Sequence, residues 1–280
     1  MQTQVAYLGP QGSYAESAAH QLINTTEIKQ PLLLPFNSLI SVIENVANDK
    51  CPFAVVPIEN SVEGGVTATL DALWEYRDLF IVKAIVMPIQ HSLIGSGEIE
   101  NISEVLSHPQ ALAQCSKWLN KNIPNALTLP TNSTSEAARM VSGSSFRAAI
   151  GSRSLIESND LKELFFPIND SPGNCTRFVL LSKSEFKDKA NLASCAFSLL
   201  NNSPGALLNA LSCFGELKLN MSRIESRPSK RELGEYIFFI DVELSKNQTS
   251  DYEKLKEKLR NYCEHIVDFG CYATNKTNEI

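Results

Sequence analysis

The stretch FAVVPIENSVEGGV at residues 53–66 decides the fold class. Its first six residues form a continuous apolar run of the length typical of a buried strand, and a polar loop with two glycines follows. Leu70 and Trp74 then lie at helical spacing. We therefore predict a strand, a loop and a helix, which is the repeating unit of an α/β sheet with helices on its faces.

The same alternation extends on both sides of this stretch. In the first 88 residues the pattern predicts strands at 4–8, 32–35 and 80–88 and helices at 13–23 and 39–47. It then restarts, with helices from 102 and at 109–119 and 133–141 and strands at 127–130 and 148–151, and returns to a strand at 178–181. A second series of strands and helices, followed by one more strand, predicts two α/β lobes that are joined by crossing connections. A cleft between such lobes is a common place for a small ligand.

A different pattern follows the polar and charged stretch at 182–194, which we interpret as a linker. It predicts strands at 195–200, 221–226, 236–244 and 267–273, with helices at 204–217 and 252–266. This order, βαββαβ, is that of a ferredoxin-like unit. The edges of such a sheet can pair with a second copy, so we expect a homodimer or homotetramer.

The composition excludes several classes of function. The chain has 280 residues, 43% of them hydrophobic, and a net charge of -6, which argues against nucleic-acid binding. No run of 18 apolar residues and no signal peptide is present, so we expect a cytoplasmic protein that does not enter a membrane. Seven cysteines without a CxxC pair indicate reduced thiols, and the four histidines lack metal-ligand spacing. We expect neither a metal nor a cofactor.

Polar residues at the ends of predicted strands are candidates for a site. In LGPQGSYAE (8–16), Ser13 can cap a helix whose free N–H groups attract anions, although an ordinary capped turn explains the motif as well. In the loop after residue 58, Asn60 and Ser61 can donate to a carboxylate, Gly64 can expose its N–H, and Glu63 can take part in proton transfer. The alternative is a polar loop without function.

GNCTRFVLL (173–181) places Asn174, Thr176 and Arg177 just before an apolar run. Arginine can bind a carboxylate through two hydrogen bonds, and the adjacent hydroxyl can donate a proton. The alternative is a turn that leads into a strand. In the C-terminal unit, SPGALLNAL (203–211) and RIESRP (223–228) are predicted to lie together, where a helix start suits an α-carboxylate. His108 precedes Pro109 and is interpreted as a residue near a helix cap.

Six motifs now occur in order along the chain: GPQGSYAESAA, PIENSVEGGV, HPQALAQC, NCTRF, PGALLNAL and IESRP. Together they closely resemble the prephenate dehydratase family with its C-terminal ACT regulatory domain. The resemblance implies a two-lobed catalytic domain at 1–183, similar to periplasmic binding proteins, and an ACT domain at 194–274 that binds L-phenylalanine. It also implies the conversion of prephenate to phenylpyruvate, water and CO2. Where the family usually has a hydroxyl residue, this chain has Ala15.

The resemblance also implies roles for individual residues. The catalytic candidates are Thr176, Arg177 and Glu63, and the substrate-binding candidates are Ser13, Asn60, Ser61, Gly64, Asn174 and Phe178. The candidates for binding phenylalanine are Gly205, Ala206, Leu207, Asn220, Glu225, Ser226, Arg227 and Pro228.

The mechanism that we expect assigns a task to each group of residues. Arg177, Asn60, Ser61 and helix-start N–H groups anchor the two carboxylates of prephenate, while Thr176 passes a proton to the departing hydroxyl. Glu63 is the candidate acid beside it if burial raises its pKa. Two other functions stay open. One is arogenate dehydratase, the same chemistry on the aminated substrate, and the other is an amino-acid sensor without catalysis.

Overall fold

The structure, a computed structural model, describes residues 2–186, 189–245 and 248–277 of the chain. In these residues the strands form two sheets, one of ten strands and one of five. The protein is therefore of the mixed α/β class predicted from the sequence. No helix in the described ranges is long and apolar enough to cross a membrane. In the same ranges no group of three or more His, Cys, Asp or Glu side chains could hold a metal ion.

The first lobe comprises residues 3–88 and the returning strand at 175–182. Its strands are β1 (Thr3–Leu8), β2 (Pro31–Phe36), β3 (Phe53–Asn60), β4 (Gly64–Gly65) and β5 (Phe80–Pro88), and its helices are α1 (Tyr14–Thr25), α2 (Leu39–Ala47) and α3 (Thr67–Glu75). Strand β1 pairs in parallel with β2 and β3. Leu22 of α1 packs on one face of this sheet, while Val42 of α2 and Leu73 of α3 pack on the other. Complete burial of each such side chain contributes roughly 1.5–3 kcal/mol.

The second lobe comprises residues 92–165. Its strands are β6 (Ser92–Gly95), β7 (Glu104–Ser107), β8 (Leu127–Pro130), β9 (Arg147–Gly151) and β10 (Lys162–Phe165), and its helices are α4 (Pro109–Gln114), α5 (Ser116–Asn122), α6 (Thr134–Val141) and α7 (Leu155–Ser158). The sheet order is β10-β6-β9-β7-β8. The helix predicted from residue 102 is wrong, because a short 3₁₀ turn at Ile99–Asn101 leads into β7, whose side chains are buried on both faces.

The chain returns to the first lobe as β11 (Cys175–Ser182), which lies antiparallel between β3 and β5. The apolar run at 178–181 predicted this strand, but the strand begins three residues earlier, at Cys175. Thr176 and Arg177 therefore lie inside the strand rather than before it.

The C-terminal unit comprises residues 192–276. Its elements are β12 (Leu192–Leu199), α8 (Ala206–Glu216), β13 (Asn220–Pro228), β14 (Tyr236–Glu243), α9 (Thr249–Leu259) and β15 (Cys263–Lys276). The predicted order βαββαβ is observed. Several boundaries differ from the prediction. β12 begins inside the predicted linker, α9 lies at 249–259 rather than 252–266, and β15 extends over 263–276 rather than 267–273.

The C-terminal unit and the first lobe share one sheet. Residues 273–276 of β15 pair in parallel with residues 83–86 of β5, so the ten-stranded sheet runs from β13 to β2 without interruption. Phe239 and Phe269 of the C-terminal unit belong to the same hydrophobic core as Leu73 of the first lobe. Although the chain connects the two parts through a short polar stretch, they are packed as one body.

Candidate active site

A cleft of about 540 Å³ opens between the two lobes. This volume lies within the range of small-molecule sites. Residues from both lobes line it, at the starts of α1, α3, α4 and α6, in the loop after β3, and on β11. Of the residues predicted from the sequence, those that line the cleft are Ser13, Asn60, Glu63, Gly64, Thr176 and Phe178.

The Asn60 side chain organises one wall of the cleft. It is 8% exposed, and its Nδ2 donates to Oγ1 of Thr176 at 2.9 Å and to Oδ1 of Asn174 at 3.0 Å. Its Oδ1 accepts the backbone N–H groups of Val62 and Glu63 at 2.9 and 3.1 Å. Because one amide satisfies all four groups, it fixes the loop after β3 relative to the first residues of β11.

The Thr176 hydroxyl faces the cleft from β11. It accepts the bond from Asn60, and within the described ranges it donates no hydrogen bond to another residue. A hydroxyl has one proton to donate. That proton is therefore available for donation to a ligand in the cleft, where the Asn60 amide would stabilise negative charge on the oxygen.

Three helices of at least eight residues begin at the cleft: α1, α3 and α6. Ser13 caps α1 by accepting from the backbone N–H of Glu16, and Ser133 caps α6 by accepting from that of Glu136. Among the described residues that line the cleft, none is a lysine or an arginine. The positive ends of the helix dipoles therefore provide the attraction for an anionic ligand.

Glu63 is held by two amides of the second lobe. Its Oε1 accepts from Nε2 of Gln110 at 2.5 Å and from Nε2 of Gln114 at 3.1 Å. The two glutamines lie four residues apart on α4, hence on one face of the helix. Glu63 is exposed, so the burial that the proposed acid role requires is not found in this structure.

His91 lies at the base of the cleft and was missed in the sequence. Its Nε2 is 3.0 Å from Oε1 of Gln114, and its Nδ1 is 3.3 Å from the Tyr14 hydroxyl. Burial lowers the pKa of His91, and the bond to Gln114 offsets only part of that effect. The ring is therefore neutral at pH 7. The spacing of Gln110 and Gln114 in HPQALAQC is the sequence feature that predicts a polar helix face at this side of the cleft. No sequence feature points to His91.

Arg177 does not line the cleft, although the sequence placed it there. Successive residues of a strand point to opposite faces, so Arg177 points away from the face that carries Thr176 and Phe178. Its guanidinium binds the carboxylates of Asp241 and Glu59. Burial opposes this charge, but the facing Asp241 outweighs burial and raises the pKa of Arg177. An ion pair inside the protein takes the place of the expected substrate anchor.

Two further candidates lie beside the cleft without lining it. The Ser61 hydroxyl donates to the carbonyl of Gly173 at 3.2 Å and accepts from the N–H of Cys175 at 2.9 Å, so it ties the loop to β11. Asn174 is buried and donates to Oε1 of Gln114 at 3.1 Å. Both residues support the walls of the cleft.

The residues predicted to bind phenylalanine lie on two adjacent elements of the C-terminal unit, α8 and β13. Gly205 precedes α8 at a φ of 85°, a conformation that favours glycine. On β13, Glu225 and Arg227 point inward, where Arg227 binds Asp71 of α3 at 3.1 and 3.3 Å. Asn220, Ser226 and Pro228 point outward and are exposed. The predicted residues on β13 therefore divide between the two faces of that strand.

The sequence of the two lobes matches a known protein family. Residues 5–186 match the prephenate dehydratase family. The chain belongs to this family. The match covers both lobes and β11, and hence every residue that lines the cleft. The resemblance to this family that the sequence motifs indicated is therefore confirmed.

Relatives extend the likeness to the C-terminal unit. A prephenate dehydratase of Methanocaldococcus jannaschii is 38% identical over 95% of this chain and 96% of its own length. One from Lactococcus lactis subsp. cremoris is 34% identical over 99% of both chains. Among solved structures, a prephenate dehydratase of Arthrobacter aurescens in complex with L-Phe has a TM-score of 0.87 at 32% identity, over 97% of this chain and 90% of that one.

Proposed function

We propose that the chain is a prephenate dehydratase, a carbon–oxygen lyase that converts prephenate to phenylpyruvate, water and CO2. The observation that carries the proposal is the Asn60–Thr176 hydrogen bond at 2.9 Å. It leaves the threonine proton directed into the cleft of a chain that belongs to this family.

The reaction requires a proton for the departing hydroxyl and a site that holds the two carboxylates of prephenate in place. The C4–O bond of the cyclohexadiene ring breaks with its electron pair on oxygen, and the departing hydroxyl takes one proton to become water. The bond from C1 to its carboxylate breaks at the same time, and its electrons enter the ring, which becomes aromatic as CO2 leaves. No electron is exchanged with an external acceptor, so the reaction calls for no redox cofactor.

Prephenate is a dianion, and the cleft suits two negative groups. The starts of α1 and α3 line the cleft from the first lobe, and the start of α6 lines it from the second. We assign the two carboxylates to these helix starts, each of which offers free N–H groups and a favourable dipole. This assignment replaces Arg177 as the anchor and keeps the helix-start N–H groups expected from the sequence.

Thr176 donates its hydrogen bond to the departing hydroxyl. A threonine hydroxyl is a weak acid, so it relays a proton or stabilises the leaving oxygen rather than supplying the proton by itself. Among the described residues that line the cleft, Glu63 is the one acidic side chain. We propose it as the proton source, with the bound substrate burying its carboxyl group.

We further propose that L-phenylalanine inhibits the reaction by binding to the C-terminal unit, which acts as a ferredoxin-like ACT domain at 194–274. The Arthrobacter aurescens relative, solved with L-Phe, supports this. Leu208 of α8 is 70% exposed and Ile224 of β13 is 48% exposed, and a second copy would cover them in a homodimer or homotetramer. A cytoplasmic location belongs with this proposal, since the cysteines of the described ranges are free thiols.

One assay tests the function. Purified chain is given prephenate or arogenate, with and without L-phenylalanine, and phenylpyruvate or phenylalanine is measured. Turnover of prephenate that falls when phenylalanine is added is the expected result. Turnover of arogenate alone would make the chain an arogenate dehydratase. Absence of turnover with both substrates, while phenylalanine still binds, would contradict the proposal in favour of an amino-acid sensor.

A further inference from the structure

Strand β11 carries different chemistry on its two faces. Thr176 and Phe178 face the cleft, and Arg177 faces the C-terminal unit. Arg177 is 8% exposed. A charge that is so deeply buried is stable only with a charged partner. Whatever holds this guanidinium therefore also holds the strand on which Thr176 lies.

Asp241 of β14 is the more buried of the two carboxylate partners of Arg177 in the described ranges, the other being Glu59 of β3. Asp241 is 2% exposed and accepts hydrogen bonds from the Arg177 guanidinium and, at 2.5 Å, from the Ser194 hydroxyl of β12. Burial by itself would raise the pKa of Asp241, but the charges of Arg177 and Arg223 outweigh burial and hold it below its ordinary value. Asp241 is thus ionised at neutral pH and sits at the junction of β12, β14 and β11.

Arg223 of β13 connects the same junction to Glu59 of β3. Its Nη1 lies 3.5 Å from Asp241, its Nε lies 3.8 Å from Glu59, and its Nη2 donates to Glu225 at 2.8 Å. The Glu225 carboxylate lies directly against Gly65, where an added Cβ would overlap it. The C-terminal unit therefore contacts β11 and the segment from β3 to β4, both of which carry residues that line the cleft.

We propose that Asp241 is a positioning residue for the reaction. Through Arg177 it holds β11 in the placement that aims the Thr176 hydroxyl at the departing group. This inference rests on the proposed function. It deepens that function by assigning part of the catalytic geometry to the C-terminal unit, which otherwise contributes no residue to the cleft lining in the described ranges.

The test uses Asp241→Asn in the full chain. The amide keeps the shape of the side chain but loses the more buried of the two carboxylate charges that hold Arg177. We expect kcat to fall by about 10- to 100-fold, because a small misplacement of a reacting group is costly, with KM within about threefold of wild type. Amide hydrogen exchange at residues 174–182 should speed up in the same variant, and this second readout does not depend on activity.

Asp71→Asn is the matched control. It breaks the Arg227–Asp71 ion pair, which also joins the C-terminal unit to the first lobe but does not touch β11. It should leave kcat and the exchange of residues 174–182 unchanged. An equal loss of kcat in both variants would mean general loosening between the two parts, and the proposal would be wrong.

A second variant guards against misfolding. The double variant Arg177→Met with Asp241→Asn removes both charges of this ion pair, so neither of them stays buried without the other. It should therefore fold, and we expect the same loss of kcat. A wild-type kcat in either the single or the double variant overturns the proposal. If the wild-type chain itself does not turn over prephenate, the proposed function is wrong. The hydrogen-exchange measurement then tests by itself whether Asp241 positions β11. Unchanged exchange at residues 174–182 then overturns the positioning role.

Discussion

Nδ2 of Asn60 lies 2.9 Å from Oγ1 of Thr176, and the two residues occupy paired positions on β3 and β11. Since Oδ1 of the same side chain holds the backbone of the following loop, Asn60 links the loop to the strand of the proposed catalytic hydroxyl. The geometry of the cleft wall therefore depends on one buried amide.

Asn60→Ala should lower kcat by about 100-fold. The variant removes the donor that stabilises charge on the Thr176 oxygen, and losses of this size are typical when one such donor is removed. Steady-state kinetics with prephenate measures the effect. Ser61→Ala, at the next position along the chain but outside the cleft lining, is the control and should keep kcat within about threefold. An equal loss of kcat in both variants would show that any change in this segment impairs catalysis and that the Asn60 amide has no specific role.

Ser133→Ala should raise KM for prephenate by about 2- to 10-fold, because it loosens the helix start to which we assign a substrate carboxylate. The loss of the cap should also lower stability by about 1 kcal/mol. Ser38→Ala removes the equivalent cap of α2, where Ser38 accepts from the N–H of Ser41 at 3.1 Å away from the cleft. This control should lose similar stability without a change in KM. A KM for Ser133→Ala equal to that of Ser38→Ala would contradict anion binding at α6.

The stability of the protein should decline as the pH falls below about 6.5, the ordinary pKa of histidine. Burial lowers the pKa of His91 in the folded protein, so the unfolded chain takes up the proton more readily. The contribution of His91 is therefore complete above pH 6.5 and is lost as the pH drops toward its lowered pKa.

Thermal unfolding at pH 8 and pH 5.5 measures this decline. His91→Gln should show a smaller difference between the two pH values than wild type, while His20→Gln, at an exposed position of α1, should match wild type. The same pH difference in all three proteins would exclude His91 as the cause.

Gly205→Ala should raise the concentration of L-phenylalanine required for half inhibition by about tenfold or more, with basal kcat unchanged. A side chain at a φ of 85° is strained by roughly 1–2 kcal/mol, so the start of α8 must shift. Gly215→Ala, near the end of the same helix, meets no atom within 4 Å of the added Cβ and should leave inhibition unchanged. Normal inhibition of the Gly205 variant would remove this loop from the effector site.

Local patterns in the sequence predicted much of the architecture. The apolar runs located β5 and β8 at their observed bounds, and the spacing of apolar residues located α2. The pairing of residues 273–276 with β5 could not be predicted in this way. It joins segments about 190 positions apart, and no turn or periodicity in the sequence records such a contact.

The position of Arg177 shows a second limit. The adjacent residues of TRF suggest one functional group, but neighbouring residues of a strand face opposite sides of the sheet. Starting β11 at Cys175 instead of at Phe178 would have separated Thr176 from Arg177. Asp241 within YIFFIDVE was a further available signal, since a carboxylate in an apolar strand requires a buried cation. Its partner could be identified only from the fold.

The most direct test of the account is kcat of Thr176→Val, which keeps the shape of the side chain and removes the hydroxyl. We predict a kcat that is lower by about 10²–10⁴-fold with KM within about threefold of wild type, while Thr176→Ser retains activity within about tenfold. A kcat of Thr176→Val close to the wild-type value would contradict the proposed role of the hydroxyl and, with it, the mechanism derived from the Asn60–Thr176 bond.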